Sequence, residues 1–110
     1  MKPWRLTQQA ESSLRDIAIW TVKHFGNQQA IKYRDELIDC INRLASSNPP
    51  QSKSCGKLLQ ETHNELFYIK KGSHFIVFRE TEKQLEILEF FHQHMDLPTH
   101  ITRLTQNLKE

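Results

Sequence analysis

The chain has 110 residues, 37% hydrophobic and 25% charged, with 15 Lys+Arg against 13 Asp+Glu for a net charge of +2. That length sustains one core and leaves no room for a cofactor domain beside a substrate domain. The near-neutral balance is no electrostatic footprint for nucleic acid, and 6 Phe, 2 Trp and 2 Tyr argue against intrinsic disorder.

Residues 1–60 carry 9 basic and 5 acidic side chains, whereas residues 61–110 carry 6 and 8. This is mild polarity, not a basic arm. No run approaches ~18 consecutive apolar residues. The N-terminal stretch MKPWRLTQQAESSL lacks the apolar region of a signal peptide. The expectation is a cytoplasmic protein with no membrane segment. Cys40 and Cys55 fit no metal spacing and no CxxC motif. Cys40 reads as a small core hydrophobe and Cys55 as an ordinary loop thiol.

In chain order, Lys2–Leu6 reads as a short strand, and Thr7 as the N-cap of a helix. Ala10, Leu14, Ile17, Thr21 and Phe25 recur at helical spacing and predict its buried face. Trp20 flanks that stripe, as rim core or as an exposed anchor for a partner. Gly26 closes the helix, and Asn27 is placed to cap the next. The second helix is expected from about Gln28 to Ser46, burying Ala30, Tyr33, Leu37, Cys40, Ile41 and Leu44. So short a connection predicts an αα-hairpin.

Pro49 and Pro50 end that helix, and the stretch from Ser47 to Lys57 reads as a loop. The apolar period then shifts toward 2. Strands are expected at Glu65–Lys70, His74–Thr81 and Gln84–His92, with tight turns at Lys71-Gly72-Ser73 and Glu82-Lys83. That is an antiparallel meander. A last helical segment is expected from Pro98 to about Leu108, with Ile101, Leu104 and Leu108 on one side.

Both faces of the meander are apolar. Strict alternation sets Phe75 and Val77 against Ile76 and Phe78, and sets Leu85, Ile87 and Phe91 against Leu88 and Phe90. One helical hairpin covers one face. The other is expected to meet the C-terminal segment in part and a partner protein for the rest.

Chemistry is harder to find. His92, His94 and His100 cluster near the third meander strand with Asp96, but no recognisable ligand spacing completes a zinc site. His92 or His74 as a general base has no nucleophile nearby in sequence. Lys53, Lys57, Lys70, Lys71 and Arg79 with Tyr68 would suit metal-free RNA cleavage. The interleaved Glu65, Glu80, Glu82, Glu86 and Glu89 make a solvated mixed-charge face the plainer reading.

The order of elements resembles the RelE/ParE toxin superfamily, and the motifs resemble its ParE branch. Met1-Lys2-Pro3 with Leu6-Thr7, then Leu14-Arg15-Asp16-Ile17-Ala18, is similar to the family's first strand and helix. Phe25-Gly26 with Gln29-Ala30 and Tyr33 resembles its hairpin turn, and Leu44-Ala45 with Asn48-Pro49 its second helix end. Lys53-Ser54-Cys55, Gly72-Ser73-His74 and Ile76-Val77-Phe78 continue the likeness, which closes on Ile87, Leu88, His92, Met95 and Asp96.

The resemblance implies an α+β fold: an N-terminal strand, an antiparallel helical hairpin packed on an antiparallel meander, and a short C-terminal helix or tail. The toxin domain would cover 1–101 and the tail 102–110. It further implies a non-enzymatic type II toxin that poisons DNA gyrase and is neutralised by a ParD-like or other small antitoxin in a hetero-oligomer. No cofactor, metal or direct nucleic-acid binding is implied. Combined with the two-faced strands, it assigns antitoxin contact to Trp20, Ile76, Phe78, Arg79, Leu88 and Phe90. The RelE branch, a ribosome-dependent messenger RNA endonuclease, would have to use Lys70, Arg79 and His92. Phe75 stands where that branch often has Arg, and His92-Gln93-His94 replace a basic pair. An inactive toxin fold that only binds its partner is the third reading.

Overall fold

A computed structural model describes residues 2–60 and 65–108. The elements are β1 (Trp4–Leu6), α1 (Gln8–Phe25), α2 (Asn27–Leu44), β2 (Lys53–Ser54), α3 (Cys55–Leu59), β3 (Phe67–Lys71), β4 (His74–Glu80), β5 (Leu85–His92) and α4 (Leu97–Leu108). They form an α+β domain around one five-stranded sheet of order β1-β5-β4-β3-β2. The meander β3-β4-β5 is antiparallel, as its alternation and tight turns predict. β1 joins β5 in parallel, so the sheet as a whole is mixed. None of the described helices is long and apolar enough to cross a membrane.

Thr7 starts α1 as its sequence position predicts. Its Oγ1 accepts the Ala10 N–H at 3.1 Å and donates to the Leu88 carbonyl at 3.0 Å. One hydroxyl thus caps the helix and fastens its start to β5, worth ~1 kcal/mol for the cap. Trp4 Nε1 donates to Asn42 Oδ1 at 2.7 Å, tying β1 to α2. Gly26 ends α1 at φ 89°, ψ 172°, a region essentially reserved for glycine. Asn27 is the first residue of α2 and caps nothing.

Two cores result. On one sheet face, Leu37, Cys40, Ile41 and Leu44 of α2 and Ala10 of α1 pack against Ile76, Phe78, Leu85, Ile87 and Phe90. On the other, Leu97, Ile101 and Leu104 of α4 cover Val77, Leu88 and Phe91 together with Cys55 and Leu66. The grouping differs from strict alternation. Val77 pairs with Glu89 and Phe78 with Ile87, leaving Leu88 as an extra residue on β5. This bulge turns Phe90 to the hairpin face and Phe91 to the α4 face.

The expected loop before the meander holds two short elements. Lys53 and Ser54 pair with Tyr68 and Phe67, and Ser54 caps α3 by accepting the Lys57 N–H. Cys55 is therefore no loop thiol: it is fully buried, and burial pushes its pKa up to about 12. Phe25 also departs from the expected buried stripe. It is 65% exposed, at the last residue of α1. Of the expected tail, 109 and 110 lie outside the described residues.

The β3–β4 turn meets α2 through Gly72 at φ 60°, where a Cβ would stand 2.5 Å from Tyr33 Cε1. Gly72→Ala should therefore cost ~2–3 kcal/mol in urea denaturation, more than Gly26→Ala, which has open space around it. In a Tyr33→Ala background the Gly72→Ala cost should shrink. Ile101→Ala should cost ~2–5 kcal/mol, since Ile101 is fully buried; a near-neutral result would mean α4 is not packed on the sheet in solution.

Candidate functional site

A groove of about 910 Å³ runs between the turn end of the helical hairpin and the β3–β4 turn. α1 supplies Asp16, Ile17, Trp20, Thr21 and Phe25; α2 supplies Gln29 and Tyr33; Ser73, His74 and His92 close the sheet side. Helical spacing puts Asp16 and Trp20 one turn apart on one face of α1. The indole stacks on His24 with ring centroids 4.1 Å apart and meets Phe25 at 5.9 Å. Trp20 nevertheless stays 54% exposed, which settles the choice between rim core and exposed aromatic.

The polar end of the groove is built around the Tyr33 hydroxyl. It accepts the Ser73 N–H at 3.0 Å and lies 2.6 Å from His74 Nδ1. Burial pushes the His74 pKa down to about 4, and the neighbouring His92 ring, 5.3 Å away by centroids, adds to the shift. A neutral His74 lets Nδ1 accept the phenolic proton. Burial raises the Tyr33 pKa as well. Beneath α1, burial also raises the pKa of Glu89, with Ser13, Phe90 N–H and Gln9 acting against it and Asp16 adding to it.

A second polar feature lies at the other end of the sheet. Glu86, almost buried, accepts from Arg79 Nε at 2.6 Å and from Arg5 Nε and Nη2 at 3.0 and 2.5 Å. The Arg79 hydrogen bond leads in holding the Glu86 carboxyl below its ordinary range. Both arginines remain partly exposed beyond the shared carboxylate.

Among the residues expected to meet a partner, only Trp20 and Arg79 reach the surface. Ile76, Phe78 and Phe90 are buried beneath the hairpin, and Leu88 beneath α4. The apolar outer sheet face therefore exists but is covered by the chain's own last helix. Lys70, Arg79 and His92 do not converge either. Lys70 pairs with Phe75 on the α4 face, His92 pairs with His74 on the hairpin face, and Arg79 stands at the opposite end of β4. Among the described residues no group of three or more His, Cys, Asp or Glu is placed to hold a metal ion. Ile17, Thr21, Phe25 and Tyr33 line the groove although the sequence reading assigned them to the core, and Tyr33 holds its polar end. The signal for Tyr33 was the glycine of the turn that docks on it.

The family model for the ParE toxin of the type II toxin–antitoxin system parDE matches residues 4–97. The chain belongs to the ParE toxin family. Toxin ParE1 of Caulobacter vibrioides (strain ATCC 19089 / CIP 103742 / CB 15) is 29% identical over 101 residues, covering 92% of this chain and 99% of the relative. A solved structure of a chromosomal ParDE TA system from P. aeruginosa matches the fold with a TM-score of 0.65 at 16% identity, over 84% of this chain and 96% of that one. In this ParE-family chain, the family model's match ends at residue 97, where α4 begins.

The His74 environment has a measurable consequence. Its folded pKa lies below the unfolded 6.5, so the unfolded chain takes up the proton first. Stability should be intact above pH 6.5 and decline as pH falls toward about 4. Urea denaturation across that window should give a flatter profile for His74→Gln than for the wild type.

Proposed function

We propose that this ParE-family chain inhibits DNA gyrase by protein–protein contact and is held inactive by a small cognate antitoxin. Family membership supports the toxin, and the fold shared with a ParDE system supports the antitoxin. The observation that carries the contact reading is the exposed aromatic groove around Trp20 and Phe25, which the fold leaves uncovered. Exposed aromatics of this kind are preferred anchors of protein interfaces. Its histidines have no phosphate-gripping cations among the lining residues, so the groove favours binding over nuclease chemistry.

The antitoxin would meet the surface members of the expected set. Trp20 would be an apolar anchor, and Arg79, whose terminal nitrogens are not spent on Glu86, would take a partner carboxylate. Ile76, Phe78, Leu88 and Phe90 would support that surface from within. An interface of this kind should bury on the order of 1,000 Å² or more in total. The protein would work in the cytoplasm, where gyrase and DNA meet, with no cofactor.

The purified chain should abolish gyrase supercoiling or trap linear DNA, and antitoxin should reverse the effect. Trp20→Ala combined with Arg79→Ala should weaken antitoxin binding at least about 30-fold by calorimetry, ~2 kcal/mol. Unchanged affinity would remove both residues from the interface. Intact gyrase with messages cut during translation would transfer the assignment to a ribonuclease.

A further inference from the structure

The groove carries a charge pattern that narrows what enters it. Asp16 is the one carboxylate among its lining residues, and no lysine or arginine lines it. The ion pairs of the described residues link Lys2 to Glu80, Arg5 and Arg79 to Glu86, Arg34 to Asp35 and Arg43 to Asp39. Asp16 has no part in them. One turn further along α1 stands the exposed Trp20 indole, whose one face is taken by His24. Asp16, one turn back on the same helix face, lines the same groove as that indole. An open indole face beside an unpaired carboxylate is the arrangement that attracts a cationic side chain, through the ring quadrupole and the counter-charge together.

We propose that the groove seats a partner segment through a lysine or arginine held between the Trp20 indole and the Asp16 carboxylate, with a neighbouring apolar side chain against Phe25 and Tyr33. The segment belongs to the antitoxin, so its identity rests on the toxin–antitoxin reading; the cation preference of the groove does not. The polar end cannot supply the same attraction, because Tyr33 and His74 are already bonded to each other and to Ser73.

Two experiments on the full chain separate these parts. In the first, argininamide and norleucinamide are titrated against the protein while the two indole N–H signals are followed by NMR, with Trp4→Phe assigning them. Argininamide should shift the Trp20 signal and spare Trp4, norleucinamide should shift it less, and Asp16→Asn should remove the difference. Equal shifts from the two probes, or an undiminished argininamide effect in Asp16→Asn, would overturn the cation site. In the second, Asp16→Lys should weaken the antitoxin complex roughly tenfold, with one Lys→Glu or Arg→Glu change in the antitoxin restoring it. Unaltered affinity in Asp16→Lys would remove the antitoxin from this groove. Failure of the wild type to bind any antitoxin would overturn the toxin–antitoxin reading, while the first experiment still decides the groove.

Discussion

Strand β5 has no face that tolerates water. Every residue from Leu85 to Phe91 is buried, and the strand lies between parallel β1 and antiparallel β4 inside the sheet. A sheet built on such a strand must be covered on both sides. The helical hairpin covers one side, and α4 with α3 covers the other. Chain economy follows from this constraint: a domain of this size uses its last helix as a second layer.

The bulge at Leu88 and Glu89 makes the two layers compatible. Without the extra residue, strict alternation would send Phe90 toward α4 and Phe91 toward the hairpin. With it, one large aromatic fills each core. Thr7 donates to the carbonyl of Leu88 while capping α1, so the start of that helix is registered to the bulge. Glu89 is left buried under α1, where its hydrogen bonds offset only part of the cost of desolvating a carboxyl.

The groove is a by-product of the same registration. The last turns of α1 carry Trp20 and Phe25, both exposed, along the rim of the groove. The β3–β4 turn comes up against Tyr33 only because Gly72 has no Cβ. The result is a wall of aromatic side chains over a satisfied polar floor. Such a surface is suited to holding a protein segment. The separation of Lys70, Arg79 and His92 across two faces and two ends of the sheet removes the arrangement a nuclease would need from those residues. Where the arginines do act together, on Glu86, they make a fixed charged platform.

Local chemistry made much of this readable without coordinates. Thr7 and Gly26 bracket the first helix by capping and by positive φ, α2 shows its buried stripe at helical spacing, and the meander announces itself by period and turns. Those features depend on residues a few positions apart. The short β2 and α3 were hidden in a polar stretch, because their stability comes from pairing with β3 and from burying Cys55 rather than from propensity. Of the expected contact residues, Ile76, Phe78, Leu88 and Phe90 were chosen by alternation, and the β5 bulge moves Phe90 to the face opposite Leu88; only neighbours across the sheet reveal it. The amino-acid sequence by itself determined the order of the longer elements, the two-faced apolar meander and the family. Tertiary structure alone decided which face each side chain took and which apolar residues stayed uncovered, since burial depends on the lengths of packed layers.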